Sequence, residues 1–427
     1  MTSDFFEDLE ARGLIHGASE GAREALAAGP LTAYIGFDPT GASLHVGHLL
    51  PVLALARMQR AGHRPIALVG GGTGMIGDPS GKTVERQLLT REDVQRNVDS
   101  IRGQLGRFID FSEGGGALLI DNHEWLGGLA LIDFLRDVGK HFTINYMLAK
   151  ESVKLRLENE GGLSVTEFAY SLLQAFDYRE LFDRHGARLQ MGGSDQWGNI
   201  TSGMELIRRT RGDHVNGIVM PLVTTASGVK FGKSEAGTAV WLDAERTSPF
   251  RFYQFWLNTE DADVDRYLKF FTFVPVDEIA SVVAEHEANP AARAGQRRLA
   301  EEVTRMVHGD EGLERAERAT AVFFGSRPAQ DLPADELLDV FADVPSTEIA
   351  RSRLEGGGVP VVDLLAESGV AASKGEARRL IAGGGISVNG ERVAAPEQRV
   401  LAEQAIDGRV LLLKKGKKQN HVVRLVD

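Results

Sequence analysis

Cysteine is absent from all 427 residues, which excludes disulfides, thiolate metal sites and cysteine nucleophiles. Long apolar runs are missing too: no stretch of about 18 residues could span a bilayer. The 11 histidines never fall into the H-E-x-x-H spacing of a zinc hydrolase, so no metal site is expected. Basic charge is short, with 48 Lys+Arg against 60 Asp+Glu and a net charge of −12, which by itself disfavours a nucleic-acid partner. The opening MTSDFFEDLEARG has no charged-then-apolar leader, so a cytoplasmic protein is expected.

What is present is ordinary in bulk, 43% hydrophobic and 25% charged, and too long for a single core. Two or three domains are expected. The first half alternates strand-like and helix-like pieces: strands at 31–37, 65–69 and 118–120, helices at 46–61 and 91–108. This predicts an α/β fold. From Pro249 the pattern turns helical, with an aromatic cluster at 250–256 and an amphipathic run at 292–307. Residues 326–355, with Pro328, Pro333 and Pro345, read as a linker holding a short helix. Charge is unevenly spread: from Gly356 onward 11 Lys/Arg face 8 Asp/Glu, a net +3 that leaves −15 on the rest. Such a tail is either a docking module for an anion or an uneven surface.

Five stretches carry candidate chemistry. GGGTGMIGDPSGKT (70–83) nearly matches two nucleotide fingerprints, but Pro79 and Gly81 interrupt the dinucleotide pattern and Ile76 stands where a Walker loop needs glycine. HVGH (45–48) opens a helix after a strand, so His45 and His48 project from one side around Gly47, beside open N–H groups that suit a phosphate. TTASGVKFGKSEAGT (224–238) is a flexible run carrying Lys230 and Lys233; ammonium groups there could close over a developing pyrophosphate. EFAYSLLQAFDY (167–178) places Tyr170, Gln174 and Asp177 on one stripe, which fits a solvated face as well as a pocket wall. In QMGGSDQWGNI (190–200), Gly192 and Gly193 permit close backbone approach, Ser194 could cap a helix, and Asp195 and Gln196 could point into a site.

Together these resemble the class I aminoacyl-tRNA synthetases. HVGH is similar to their HIGH signature, and KFGKS to the form of the KMSKS loop in bacterial-type tyrosyl-tRNA synthetases. GGSDQWGN resembles the tyrosyl branch and its tryptophan-specific relatives. The resemblance covers nearly the whole chain and implies a Rossmann-like catalytic domain that forms tyrosyl-adenylate and charges tRNA(Tyr). It implies catalysis by His45, His48, Lys82, Arg86, Lys230 and Lys233, with Lys82 and Arg86 on a loop reaching the pyrophosphate. Tyr34 and Asp177 would bind the phenolic hydroxyl of tyrosine; Asp78, Tyr170 and Gln174 its ammonium; and Gln196 its carboxyl region. ATP would meet Gly36, Asp38, Thr40, Gly47, Gly193, Asp195 and Ser234 besides the histidines and the two loop lysines. Ile35 departs from relatives that place a cysteine beside the ribose.

The tail, with ISVNGERV as a hairpin around Asn389-Gly390, resembles a small RNA-binding domain first known from a ribosomal protein. Lys374, Arg378, Arg379, Lys414, Lys415, Lys417 and Lys418 would bind tRNA by phosphate and shape. The expected division is 1–225 catalytic with an inserted dimer-forming segment, 226–248 the lysine loop, 249–325 an α-helical anticodon-side domain, 326–355 linker, and 356–427 an α+β RNA-binding domain. ATP with Mg2+ is expected as substrate, no cofactor as tightly bound, and a homodimer as the assembly the resemblance implies. Two alternatives stand beside this: a tryptophan-specific relative, opposed by Tyr34 and Asp177, and a relative kept only for RNA binding, opposed by the intact histidines and lysines.

Overall fold

The structure, a computed structural model, describes residues 4–80, 89–150, 153, 154, 157, 163–226, 228, 231, 232, 238–416 and 419–426. The chain forms two compact units, Met1–Thr247 with Trp256–Val307, and Ser248–Phe255 with His308–Asp427.

The first unit is built on six strands: β1 (Gly17–Ala18), β2 (Thr32–Phe37), β3 (Arg64–Val69), β4 (Leu118–Asp121), β5 (Ala187–Gly193) and β6 (Asn216–Met220). Their order is β1-β6-β5-β2-β3-β4, with β1 antiparallel at the edge and the others parallel. Apolar runs such as Pro65–Val69 are buried, as strands covered by helices on both faces must be. The helices Leu49–Arg60, Arg91–Leu105 and Trp197–Arg211 connect β2 to β3, β3 to β4 and β5 to β6. Because β2 lies between β3 and β5, the order reverses at its carboxyl end and opens a crevice there.

Trp256, Tyr267 and Phe271 form an aromatic cluster in the same unit. Phe231 stacks on Phe271 with centroids 5.1 Å apart and ties the lysine loop to it. Arg12 and Arg57 both reach Asp8 and donate to the carbonyls of Lys269 and Thr272 at the end of the helix Val264–Phe271. Burial lowers the Arg57 guanidinium to about 9.

The second unit carries β7 (Ser346–Ala350), β8 (Val359–Pro360), β9 (Ile386–Val388), β10 (Glu391–Arg392), β11 (Arg399–Val400), β12 (Val410–Lys415) and β13 (Gln419–Val426). Five strands run in the order β10-β9-β12-β13-β7, and β11 pairs with β8. Asn389 and Gly390 have φ of 51° and 90°, the positive pair that a tight hairpin between β9 and β10 demands. Ser373 caps the helix Lys374–Ala382 by accepting from Glu376 N–H. The stretch read as a linker holds the helix Ala334–Val340 and also β7, which pairs parallel to β13. Leu332, Leu337 and Phe341 share a buried cluster with Ile406, Val410, Leu412 and Val422.

Candidate active site

The carboxyl ends of β2, β3, β5 and β6 surround a cavity of about 620 Å³. Tyr34, Gly36, Asp38, Thr40, His45, Gly47, His48, Asp78, Tyr170, Gln174, Asp177, Gly193, Asp195 and Gln196 all line it, and so does Ile35. Lys82, Arg86, Lys230, Lys233 and Ser234 lie outside the described residues.

The helix Val165–His185 positions one wall. Ser164 caps it reciprocally with Glu167, and Gly186, at φ 66°, ends it in the left-handed conformation. Its Tyr170, Gln174 and Asp177 face the cavity, which decides the stripe in favour of a pocket wall. Asp177 is buried; Trp125 Nε1 donates to one oxygen at 2.7 Å and Asn122 Nδ2 to the other at 3.0 Å. Burial pushes its carboxyl from the ordinary 3.8 to about 8, while those two donors pull it back. Tyr34 packs edge-on against Tyr178, and burial raises its phenol well above the usual range. Its hydroxyl has no hydrogen-bond partner among the described residues. A buried polar group left open inside a cavity is a seat for a ligand group.

Also in the cavity wall, Asp78 accepts from Ser80 N–H at 2.9 Å and from Gln196 Nε2 at 2.7 Å. Tyr170 donates to Asp38, and Thr73 holds the other Asp38 oxygen. The glycines of GGGTG serve this packing. Gly71 and Gly72 N–H groups donate to Asp121 and Asn122, and a Cβ on Gly70 would collide with Asp38 and Thr73. Those amides therefore face carboxylate and carboxamide oxygens of the protein rather than an open anion site.

HVGH differs in detail from its expected form. Val46–His48 is a 3-10 turn leading into the helix Leu49–Arg60, and His45 is its extended cap. His45 Nδ1 accepts from Gly47 N–H at 3.0 Å, and His48 Nδ1 accepts from His45 N–H at 3.1 Å. Two of the amides expected to be open are thus turned onto the histidines themselves. The gain is a defined tautomer: with Nδ1 accepting, Nε2 carries the proton in both neutral rings, whose centroids are 4.0 Å apart. Val240–Leu242, beyond the lysine loop, hydrogen-bonds to Leu44–Val46. Within the loop, a Cβ on Gly232 would lie 3.6 Å from Gly47 N. The two signatures are therefore adjacent.

Ser194 does not cap a helix; it begins the turn Ser194–Gln196, whose cap position is Gly193. Asn122, Trp125 and Gln190 were not foreseen. A lone amide in the buried strand RLQMGG was the available signal for Gln190.

In the second unit Arg378 and Arg379 are exposed, whereas Lys374 pairs with Asp363 at 2.9 Å and Lys415 with Glu376 at 3.0 Å. Lys414 is half-buried on β12, and Lys417 and Lys418 lie outside the described residues.

Residues 26–325 match the family described as tRNA synthetases class I (W and Y), and residues 336–423 match the tyrosine–tRNA ligase SYY-like C-terminal domain. The tyrosine–tRNA ligase of Roseiflexus castenholzii is 54% identical, covering 98% of this chain and 99% of that protein. That of Geobacillus stearothermophilus is 50% identical, covering 99% of each. The crystal structure of a C-terminally truncated mitochondrial tyrosyl-tRNA synthetase from Aspergillus nidulans superposes with a TM-score of 0.66 at 34% identity, over 75% of this chain and 94% of that one. A tryptophanyl-tRNA synthetase from Encephalitozoon cuniculi, at 15% identity and a TM-score of 0.54 over 80% of this chain and 94% of that one, shares the fold. On sequence, fold and cavity alike, the chain belongs to the class I tRNA synthetases (W and Y).

Proposed function

We propose that the chain activates L-tyrosine with ATP and transfers the tyrosyl group to the 3′ end of tRNA(Tyr). The observation that carries this reading is one cavity lined by two chemically distinct sets of groups. A buried carboxyl and an open hydroxyl, Asp177 and Tyr34, form one; two Nε2–H imidazoles, His45 and His48, form the other.

Tyr34 and Asp177 take the phenolic hydroxyl. Asp78, Tyr170 and Gln174 take the ammonium group, and Gln196 orients the carboxyl region. ATP enters as its magnesium complex, held by Gly36, Asp38, Thr40, Gly47, Gly193 and Asp195, with the histidines on its phosphates. A carboxylate oxygen of tyrosine then attacks the α-phosphorus. An O–P bond forms, the bond to the bridging oxygen of the β-phosphate breaks, and pyrophosphate leaves. Charge grows on that leaving group, so donors fixed toward it lower the barrier. His45 and His48 are such donors, and Lys82, Arg86, Lys230, Lys233 and Ser234 complete the set. In the second step the terminal ribose hydroxyl of tRNA attacks the activated carbonyl carbon and AMP departs. No side chain forms a covalent intermediate; positioning and electrostatics suffice.

The division of labour is the one the family resemblance implies: a catalytic body with an inserted dimer-forming segment, a helical anticodon-side part, and an RNA-binding tail using Arg378, Arg379, Lys414, Lys417 and Lys418, with Lys374 and Lys415 beside them. The assembly is a cytoplasmic homodimer. Leu131, Ile132, Leu135 and Ile144, each more than half exposed, support a partner on that segment.

Amino-acid-dependent exchange of labelled pyrophosphate into ATP tests the reading. Tyrosine should support exchange, phenylalanine and tryptophan almost none. A folded protein inactive with all three would overturn it.

A further inference from the structure

Between the end of β2 at Phe37 and the turn Val46–His48, residues 39–44 form neither helix nor strand. Thr40 stands near the start of this segment and His45 just after it, and both line the cavity. Irregular backbone must find its hydrogen-bond partners outside a ladder or a helix. Here one helix face supplies three of them.

Asn97 Nδ2 donates to Pro39 O at 2.9 Å, Ser100 Oγ donates to Ala42 O, and Gln104 Oε1 accepts from Leu44 N–H at 2.9 Å. Gln104 Nε2 also donates to Ser43 Oγ, whose own hydrogen goes to Leu44 O at 2.7 Å. The helix Arg91–Leu105 brings the three side chains to one side, because they stand at i, i+3 and i+7. Val94, Val98, Ile101 and Leu105 are its buried apolar residues. Asn97 and Gln104, 9% and 6% exposed, are buried beside them, where a side chain that only packed would be apolar. None of the three lines the cavity. They hold instead the carbonyl just before Thr40, the carbonyl midway, and the amide just before His45.

We infer that Asn97, Ser100 and Gln104 are positioning residues for the activation of ATP, acting through Thr40 and His45 rather than on the substrate. This rests on the reading that Thr40 and His45 meet ATP. A group aimed at growing charge works only where it is fixed, and a misplacement of about 1 Å can cost about 10²-fold in rate. Loosening the segment therefore lowers rate more than ground-state binding.

The test uses the full-length protein and the pyrophosphate exchange assay. Gln104→Met, similar in volume but without the carboxamide, should lower kcat about tenfold and leave KM for tyrosine at the parent value. With His45→Ala already in place, the same substitution should cost less than about twofold, because its effect runs through that imidazole. Asn97→Leu should show the same pattern against Thr40→Ala. Ser100→Ala removes only a hydroxyl from a half-buried position and should give a smaller loss of the same kind against His45→Ala. It decides the matter if the two larger changes prevent folding. Equal losses with and without the partner substitution, a loss confined to KM for tyrosine, or no loss in any folded variant would overturn the inference. A parent protein without tyrosine-dependent exchange is a different outcome, and it would remove the functional reading and this inference together.

Discussion

Tyr170 donates its hydroxyl hydrogen to Asp38 across 2.9 Å, joining the helix Val165–His185 to the end of β2. The bond links a residue assigned to the amino acid with one assigned to ATP, so the two sites share a wall. Tyr170→Phe should raise KM for tyrosine and, more weakly, KM for ATP. In a double-mutant cycle with Asp38→Asn the two losses should fall short of additivity by about 1 kcal/mol. Strict additivity in the exchange kinetics would mean the bond transmits nothing.

Gly47 leaves no room for a side chain beside His45. A Cβ there would lie 2.7 Å from His45 Cε1 and 2.9 Å from Nδ1, which forces the imidazole off its seat. Gly47→Ala should therefore act as a histidine variant does, lowering kcat with little change in tyrosine affinity. His48→Ala removes one fixed donor, a loss of about 3 kcal/mol in the barrier, or about 10²-fold in rate. If stopped-flow or exchange data show a raised KM for tyrosine at unchanged kcat, the histidines are binding groups only.

Asp177 gives the empty protein a pH signature. Its carboxyl is raised from 3.8 to about 8 by burial, so the native state holds a proton that the unfolded chain has released. That contribution to stability is fully present below the unfolded value and is lost as pH climbs toward 8. Melting temperatures of the empty protein should therefore fall across this interval, and Asp177→Asn should flatten the slope. A parallel slope in the variant would assign the effect elsewhere.

The tail's cations are not equivalent. Lys374 and Lys415 already face Asp363 and Glu376, though these half-exposed pairs are worth little to stability. Arg378→Ala with Arg379→Ala should raise KM for tRNA and reduce its salt dependence by about one to two phosphate contacts, leaving exchange unchanged. Lys374→Ala should do less. Deleting 356–427 is the poorer experiment, because it strips β7 of its partner β13 and opens the cluster around Leu337 and Phe341. Equal effects of all three alanine substitutions would argue for a diffuse field rather than a defined surface.

Much of this was legible beforehand for local reasons. Strands β2, β3 and β4 announce themselves as short apolar runs, and Asn389-Gly390 as a turn that needs positive φ. HVGH, KFGKS and GGSDQWGN are contiguous, so their chemistry can be read along the chain. The seat of Asp177 could not be read that way, because Asn122 and Trp125 come from the end of β4, distant in sequence and adjacent only after the sheet forms. β7 was hidden for a similar reason: a short polar STEIA between prolines and glycines looks like connection until β13 offers it an edge. Ser194 failed because a serine before a helix caps only if the turn begins after it, and here the turn begins on it.

The strand order has a consequence in time as well as in space. β2 receives β3 soon after synthesis but must wait for β5, which starts at Ala187, before its other edge is covered. Until then Tyr34 has no neighbour at its level on that side, and the cavity has half a wall. Such distant pairings delay folding, since the closure entropy of the intervening chain must be overcome first. A ribosome-bound fragment ending before β5 should therefore hold no tyrosine at all, and binding should switch on in one step once β5 and β6 have emerged.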